Sequence, residues 1–120
     1  MQEGYSASNF LIEDMQTYCN ISDAVERKEV RTIGVIIKSV NIQVGKVDSF
    51  LVEIADKSGS ILLLFLGRPK LNGFFVGTSV RIIGVANSRF PASIPLEYKF
   101  GHNGQNNLII WNPTYEFVVN

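Results

Sequence analysis

The chain has 120 residues, 46% of them apolar and 18% charged; that length carries one domain with one core, and that composition excludes a disordered tail, a collagen-like rod and a disulfide scaffold. Eleven bases balance eleven acids, so the strong positive charge of many nucleic-acid binders is missing from the chain as a whole. The balance is uneven along the sequence: residues 1–29 hold two bases against six acids, net −4, and residues 30–120 hold nine bases against five acids, net +4.

The acidic segment comes first. Phe10, Leu11, Met15, Tyr18 and Cys19 recur at helical spacings, which predicts a helix over residues 7–19 with Ser8 or Asn9 at its start. Ser22 before Asp23 marks a second short turn. From Val30 the pattern changes to strands. Residues 1–29 are therefore expected to form a helical extension and residues 30–120 a β domain. Val30–Val44 reads as one long strand, with Gly34 marking a bend or bulge inside it. Ser49–Asp56 is the second strand, with Phe50, Val52 and Ile54 on one face. Asp56-Lys57-Ser58-Gly59 is a hairpin turn in which the Asp56 side chain shapes the backbone. Ser60–Leu66 is the third strand. Gly67-Arg68-Pro69 ends it, and Lys70–Phe75 is a short connector of about one helical turn. Val80–Asn87 is the fourth strand. Arg89–Asn107 is a long polar loop with two prolines and two glycines. Leu108–Trp111 opens the fifth strand, which Pro113 interrupts.

One hexapeptide recurs. Val30-Arg31-Thr32-Ile33-Gly34-Val35 and Val80-Arg81-Ile82-Ile83-Gly84-Val85 share five of six residues. Two bent strands with the same glycine suit two corners of one small barrel. Five strands, the first long and bent, also leave fewest open edges when closed into a barrel, with the connector after strand three as its plug. The expected fold is mainly β: a five-stranded Greek-key barrel with an N-terminal helical extension.

An ordered set of motifs makes this more specific. Val-x-x-x-Gly-x-Ile at 30–36, Glu53-Ile54-x-Asp56-x-Ser58-Gly59, Phe65-Leu66-Gly67-Arg68, Gly77-x-x-Val80-x-x-x-Gly84 and Ile110-x-Asn112-Pro113-x-Tyr115-Glu116 follow one another in the chain. The set resembles OB-fold domains of the anticodon-binding and helicase-wedge type, and is similar to small stand-alone OB-fold proteins of actinobacteria. The resemblance covers residues 30–119. It implies an OB-fold barrel and a nucleic-acid-binding class, with single-stranded or structured DNA or RNA as partner. Two features depart from the pattern. The loop at 89–107 is long, and the outward residues of strands two and three are aliphatic rather than aromatic or basic. With Phe50, Val52, Ile54, Ile61, Leu63 and Phe65 inward, Leu51, Glu53, Leu62, Leu64 and Leu66 face out. Soluble monomers rarely expose such a patch. Leu51, Leu62, Leu64 and Leu66 are therefore expected to meet the N-terminal helix, a second copy or another protein.

The chemistry of the residues favours binding over catalysis. His102 stands alone between glycines, Cys19 sits on an amphipathic stretch, and Glu53 and Asp56 lie on opposite strand faces. One cysteine and one histidine cannot supply four zinc ligands. No phosphate loop occurs. No enzyme, metal or cofactor is expected. Phosphate neutralisation would fall to Lys38, Lys46, Lys57, Arg89 and Lys99, and base stacking to Phe90, Tyr98 and Phe100 in the long loop. The alternatives are rings packed onto the barrel and lysines that only solubilise it. Trp111 reads as core or rim. The first ten residues lack Lys and Arg, and the longest apolar run, Ile61–Leu66, is far below the roughly 20 residues of a membrane helix. A cytoplasmic protein without membrane contact is the expectation. The competing reading is a protein-interaction or homo-oligomerising barrel.

Overall fold

The computed structural model describes residues 18–101 and 104–119. The expected helix over 7–19 falls outside this range up to residue 17, and so does His102. Tyr18 and Cys19, its last two residues, are not helical. Among the described residues no helix is long and apolar enough to cross a membrane.

Six strands carry the fold: β1 (Glu29–Val44), β2 (Val47–Asp56), β3 (Gly59–Phe65), β4 (Ser79–Asn87), β5 (Ile109–Trp111) and β6 (Thr114–Phe117). Their order is β1-β2-β3-β5-β4-β6, and β1 also pairs with β4. The first five therefore form a closed, barrel-like ring. All pairs are antiparallel except β3 with β5. Pro113 splits the last strand as its missing N–H requires: β5 pairs with Ala86 and Asn87 of β4, and β6 with Val80–Ile83. The connector after β3 has turns but no helix. It plugs the barrel as expected. Phe74 lies edge-on to Phe65, Tyr115 and Phe117 at centroid distances of 5.3, 4.9 and 5.0 Å.

The repeated hexapeptide forms the seam. Val30 pairs with Gly84 and Gly34 with Val80, so the two copies lie antiparallel and each glycine faces the other copy's valine. Both glycines sit where a strand changes partners. β1 passes from β4 to β2 at Val35, and β4 passes from β6 to β5 across Gly84. A Cβ on Gly34 would lie 3.1 Å from Ile54, and one on Gly84 would drive into the Ile110 side chain. Two strands can approach this closely only where a side chain is absent.

Residues 18–29 close the open edge of β1. The Cys19 N–H donates to the Arg31 carbonyl at 2.9 Å, and Ile21 joins the same core as Val30, Ile54 and Ile82. The Asp56 carboxylate ties this segment to the β2–β3 turn. One oxygen accepts from the Ser58 hydroxyl and from the Ser58 and Gly59 N–H groups; the other accepts from the Ile21 N–H at 2.9 Å. Burial pushes the Asp56 carboxyl up, but the four hydrogen bonds together outweigh burial and hold it below the ordinary 3.8.

Two predictions follow from this frame. Gly84→Ala should destabilise the protein by about 1–3 kcal/mol through overpacking, and Gly34→Ala by less, because Ile54 is contacted less severely. Urea titration reads both, and a Gly84→Ala protein as stable as wild type would refute the account of the seam. Because the folded Asp56 carboxyl titrates below its unfolded value, its contribution is present above about pH 4 and fades as pH falls through the folded value. Asp56→Asn should cost about 1–2 kcal/mol at neutral pH and flatten the loss of stability as pH falls below about 4.

Candidate functional site

The outward leucines are not open to a partner. Leu51, Leu62 and Leu64 are fully buried and Leu66 half-buried. They pack with Ile94 and Tyr98, with Phe90 alongside. All three belong to the long loop, whose only helix or strand among the described residues is a single helical turn, α1 (Leu96–Lys99). The cover over these leucines is the chain's own long loop, in place of the expected N-terminal helix, second copy or other protein. The loop assigned to nucleic acid carries its own apolar residues and lays them on the β2–β3 face, removing both surfaces from water.

A polar clamp beneath the loop holds it there. A bulge at Ile37 shifts the β1–β2 register, so that Ile36 faces Ile54 inside while Lys38 faces Glu53 outside. Glu53 is 2% exposed. Its oxygens take the Lys38 ammonium at 3.4 Å and an Asn107 amide hydrogen bond at 3.0 Å. Asn107 also donates to the Tyr98 carbonyl at 2.8 Å and accepts from the Ser60 hydroxyl at 2.7 Å. Lys38 donates to the Glu97 carbonyl at 3.1 Å and lies 4.5 Å from the centre of the Tyr98 ring. A buried carboxylate is tolerable only when paired and hydrogen-bonded in this way. Burial, helped by the Glu97 and Glu53 carboxylates, pushes the Tyr98 hydroxyl up to about 12. Lys38 and Tyr98 are thereby occupied in holding the loop.

The other expected contact residues do not form one surface. Lys46 is exposed in the β1–β2 turn and Lys57 in the β2–β3 turn. These turns lie at opposite ends of β2, roughly 30 Å apart for a ten-residue strand. Phe100 is 48% exposed and Lys99 half-buried, beside the bridge from Phe100 to Asn106. Arg89 is exposed and sits elsewhere, at the end of β4.

Around Arg89 a groove opens on the outer face of β4 and β5, with a volume near 710 Å³. Ile83, Val85, Asn87, Trp111, Asn112 and Thr114 line it with Arg89, and Glu29 forms one rim. A second depression lined by Glu26, Arg27 and Ser88 shares Asn87 and Arg89 with it. The Trp111 indole donates to the Arg89 carbonyl at 3.2 Å, which orients the ring. The carboxylates here are engaged: Glu29 lies 3.3 Å from Arg31, and Glu26 accepts from the Ser88 hydroxyl. Among the described residues no carboxylate pairs with the Arg27 or Arg89 guanidinium.

The backbone is unusual at the same place. Arg27 and Asn112 are the non-glycine residues with positive φ among those described, at 70° and 53°. Asn112 has a structural reason, since its N–H and side chain cap the end of β3 at the Leu64 carbonyl and the Leu66 N–H. Arg27 is anchored by its own N–H to the Ala86 carbonyl at 2.8 Å. Left-handed backbone at such a residue costs of order 1 kcal/mol and marks functional sites more often than others. Two cations, a fixed indole and several amides can hold a ligand that is both anionic and aromatic. Among the described residues there is no group of three or more His, Cys, Asp or Glu that could hold a metal ion.

Of the residues expected to meet phosphate, Arg89 lines this groove, and the groove itself is not announced by the sequence. Trp111 read as core or rim, and Arg27 was counted with the acidic segment. The one signal was the glycine at position 84, which lies on the groove floor.

Removing the clamp tests the assignment of the loop. Asn107→Ala strips the buried Glu53 carboxylate of a donor, so it should cost about 2–4 kcal/mol. Binding of an apolar dye should rise as the leucine face opens; unchanged dye binding and stability would mean that the loop is held by other means. Comparison of the chain with models of known families, with curated proteins and with solved structures finds no match.

Proposed function

We propose that this chain is a non-enzymatic OB-type barrel that binds single-stranded or structured nucleic acid, seated in the Arg27–Arg89–Trp111 groove and not on the β2–β3 face. The ring of five strands with its parallel β3–β5 closure supports the OB reading. The usual oligonucleotide surface of such barrels is strands two and three with the flanking loops, and here the chain's own loop covers it. The observation that carries the proposal is a pair of adjoining depressions that share Arg89, one lined by the fixed Trp111 indole and the other by the exposed Arg27 guanidinium. Guanidinium groups neutralise phosphates, and bases stack on rings whatever their sequence.

Trp111 is the single tryptophan of the chain, so its fluorescence reports the groove directly. Single-stranded DNA and RNA oligonucleotides should quench it, with affinity that falls as salt rises. Arg27→Ala with Arg89→Ala should weaken binding about tenfold or more and reduce the salt slope by about two, one for each phosphate contact. Lys46→Ala with Lys57→Ala should have less effect. Absence of quenching and of binding at low salt would overturn the reading.

A protein-interaction module is the second reading, favoured by a different surface. Phe75 and Val76 are each 68% exposed, and they lie beside β1, where the Gly77 N–H meets the Ile36 carbonyl and Val35 and Ile37 are exposed. Concentration-dependent sedimentation that Phe75→Asp abolishes would support that reading.

A further inference from the structure

The larger depression owes its floor to a gap in the sheet. β4 pairs with β6 over Val80–Ile83 and with β5 over Ala86 and Asn87. Gly84 and Val85 fall between the two, beside Pro113, which has no N–H to offer. That edge of β4 is left uncovered there, and Trp111, Asn112 and Thr114 line the opening. A volume near 710 Å³ is in the range of pockets that hold a small organic ligand. The lining suits a base with its sugar. Val85, 55% exposed, and the Trp111 ring are apolar, while Asn87 and Thr114 bring an amide and a hydroxyl.

The charges around this opening are few. The cations that line the two depressions are Arg89, which belongs to both, and Arg27, which belongs to the smaller. Each depression also has a carboxylate, Glu29 in the larger and Glu26 in the smaller. Glu29 lies 3.3 Å from Arg31, whereas Glu26 is held by the Ser88 hydroxyl, a partner without charge. Two guanidinium groups can meet two successive phosphates of a strand, at one charge each, or one terminal phosphate, which carries close to two. The carboxylates decide between these. A strand that runs on through the smaller depression carries a further phosphodiester towards Glu26, and like charges repel. A nucleoside unit that ends there meets Arg27 and Arg89 and goes no further.

We infer that the site takes a terminal phosphate: the base of one nucleoside unit lies on Trp111 in the larger depression, and its phosphate monoester lies against Arg27 and Arg89 in the smaller. This rests on the nucleic-acid reading and narrows it from the length of a strand to its phosphorylated end. A free nucleoside monophosphate presents the same chemistry.

Quenching of Trp111 in the full chain at low salt tests this. The probes are decanucleotides of one sequence with a 5′-phosphate, a 3′-phosphate or hydroxyls at both ends, together with a nucleoside monophosphate and its nucleoside. One phosphorylated strand should bind about tenfold tighter than the hydroxyl-ended strand, and the monophosphate about tenfold tighter than the nucleoside. Arg27→Asn should abolish both differences, since asparagine suits the left-handed backbone at this position but carries no charge. Glu26→Gln with Glu29→Gln should strengthen binding of the hydroxyl-ended strand about fivefold and narrow its gap to the phosphorylated one. A phosphorylated strand bound tighter than the monophosphate makes the strand end the ligand. A monophosphate bound while no decanucleotide binds makes it the free nucleotide and overturns the nucleic-acid reading. Equal affinity for all three decanucleotides, weakened by salt, would overturn the inference and leave the nucleic-acid reading standing. No quenching or binding by any probe would overturn both.

Discussion

β1 serves two partners, and the rest of the molecule follows from that double duty. Its first half is hydrogen-bonded to β4 and its second half to β2, with Val35 paired to both. A sixteen-residue strand cannot do this without turning, and the turn is made by two local devices. Gly34 lets the strand press against Ile54, and the bulge at Ile37 changes which side chains face the core. The ring closes as a result. The interior it encloses is filled by Phe50, Phe65, Phe74 and the aliphatic residues between them.

The same bulge explains the outer surface. By bringing Lys38 opposite Glu53 it provides the cation that a buried carboxylate requires. Glu53 and Asn107 then fix the long loop, and the loop covers the leucines. Core packing and clamp are thus linked through one backbone irregularity. The outer face of β2 and β3 has become a second hydrophobic core, and the surface left with exposed cations and a ring lies around the corner, at the end of β4.

Much of the barrel was legible in the sequence because its signals are local. Alternation in residues 49–66 separated Phe50, Val52 and Ile54 from Leu51 and Glu53, and the repeated hexapeptide marked the seam. The two departures from the expected pattern, a long loop and an aliphatic outer face, were visible as separate anomalies. They are the two sides of one contact, between residues some forty positions apart, and no periodicity reports such a contact. The second half of β1 misled for another reason. Ile36, Lys38, Val40, Ile42 and Val44 keep one spacing in the sequence, yet Ile36 lies inside the barrel while Ile42 lies outside it, with Val40 and Val44 packed beside it. The groove was hidden because its residues come from three separate stretches, and because the backbone at Arg27 has a conformation that its neighbours in sequence do not announce.

The bulge at Ile37 also gives β1 an uneven tolerance to changes in length. In a regular strand, losing one residue turns every side chain beyond that point to the opposite face. Here the register already carries one residue too many between Ile36 and Lys38. Removal of that extra residue would leave Ile36 on Ile54 and Lys38 on Glu53, with a plain ladder between them. The cost would fall on the turn that the bulge helps β1 to make. At the bulge, and nowhere else along its sixteen residues, the strand can be shortened without exchanging inside for outside.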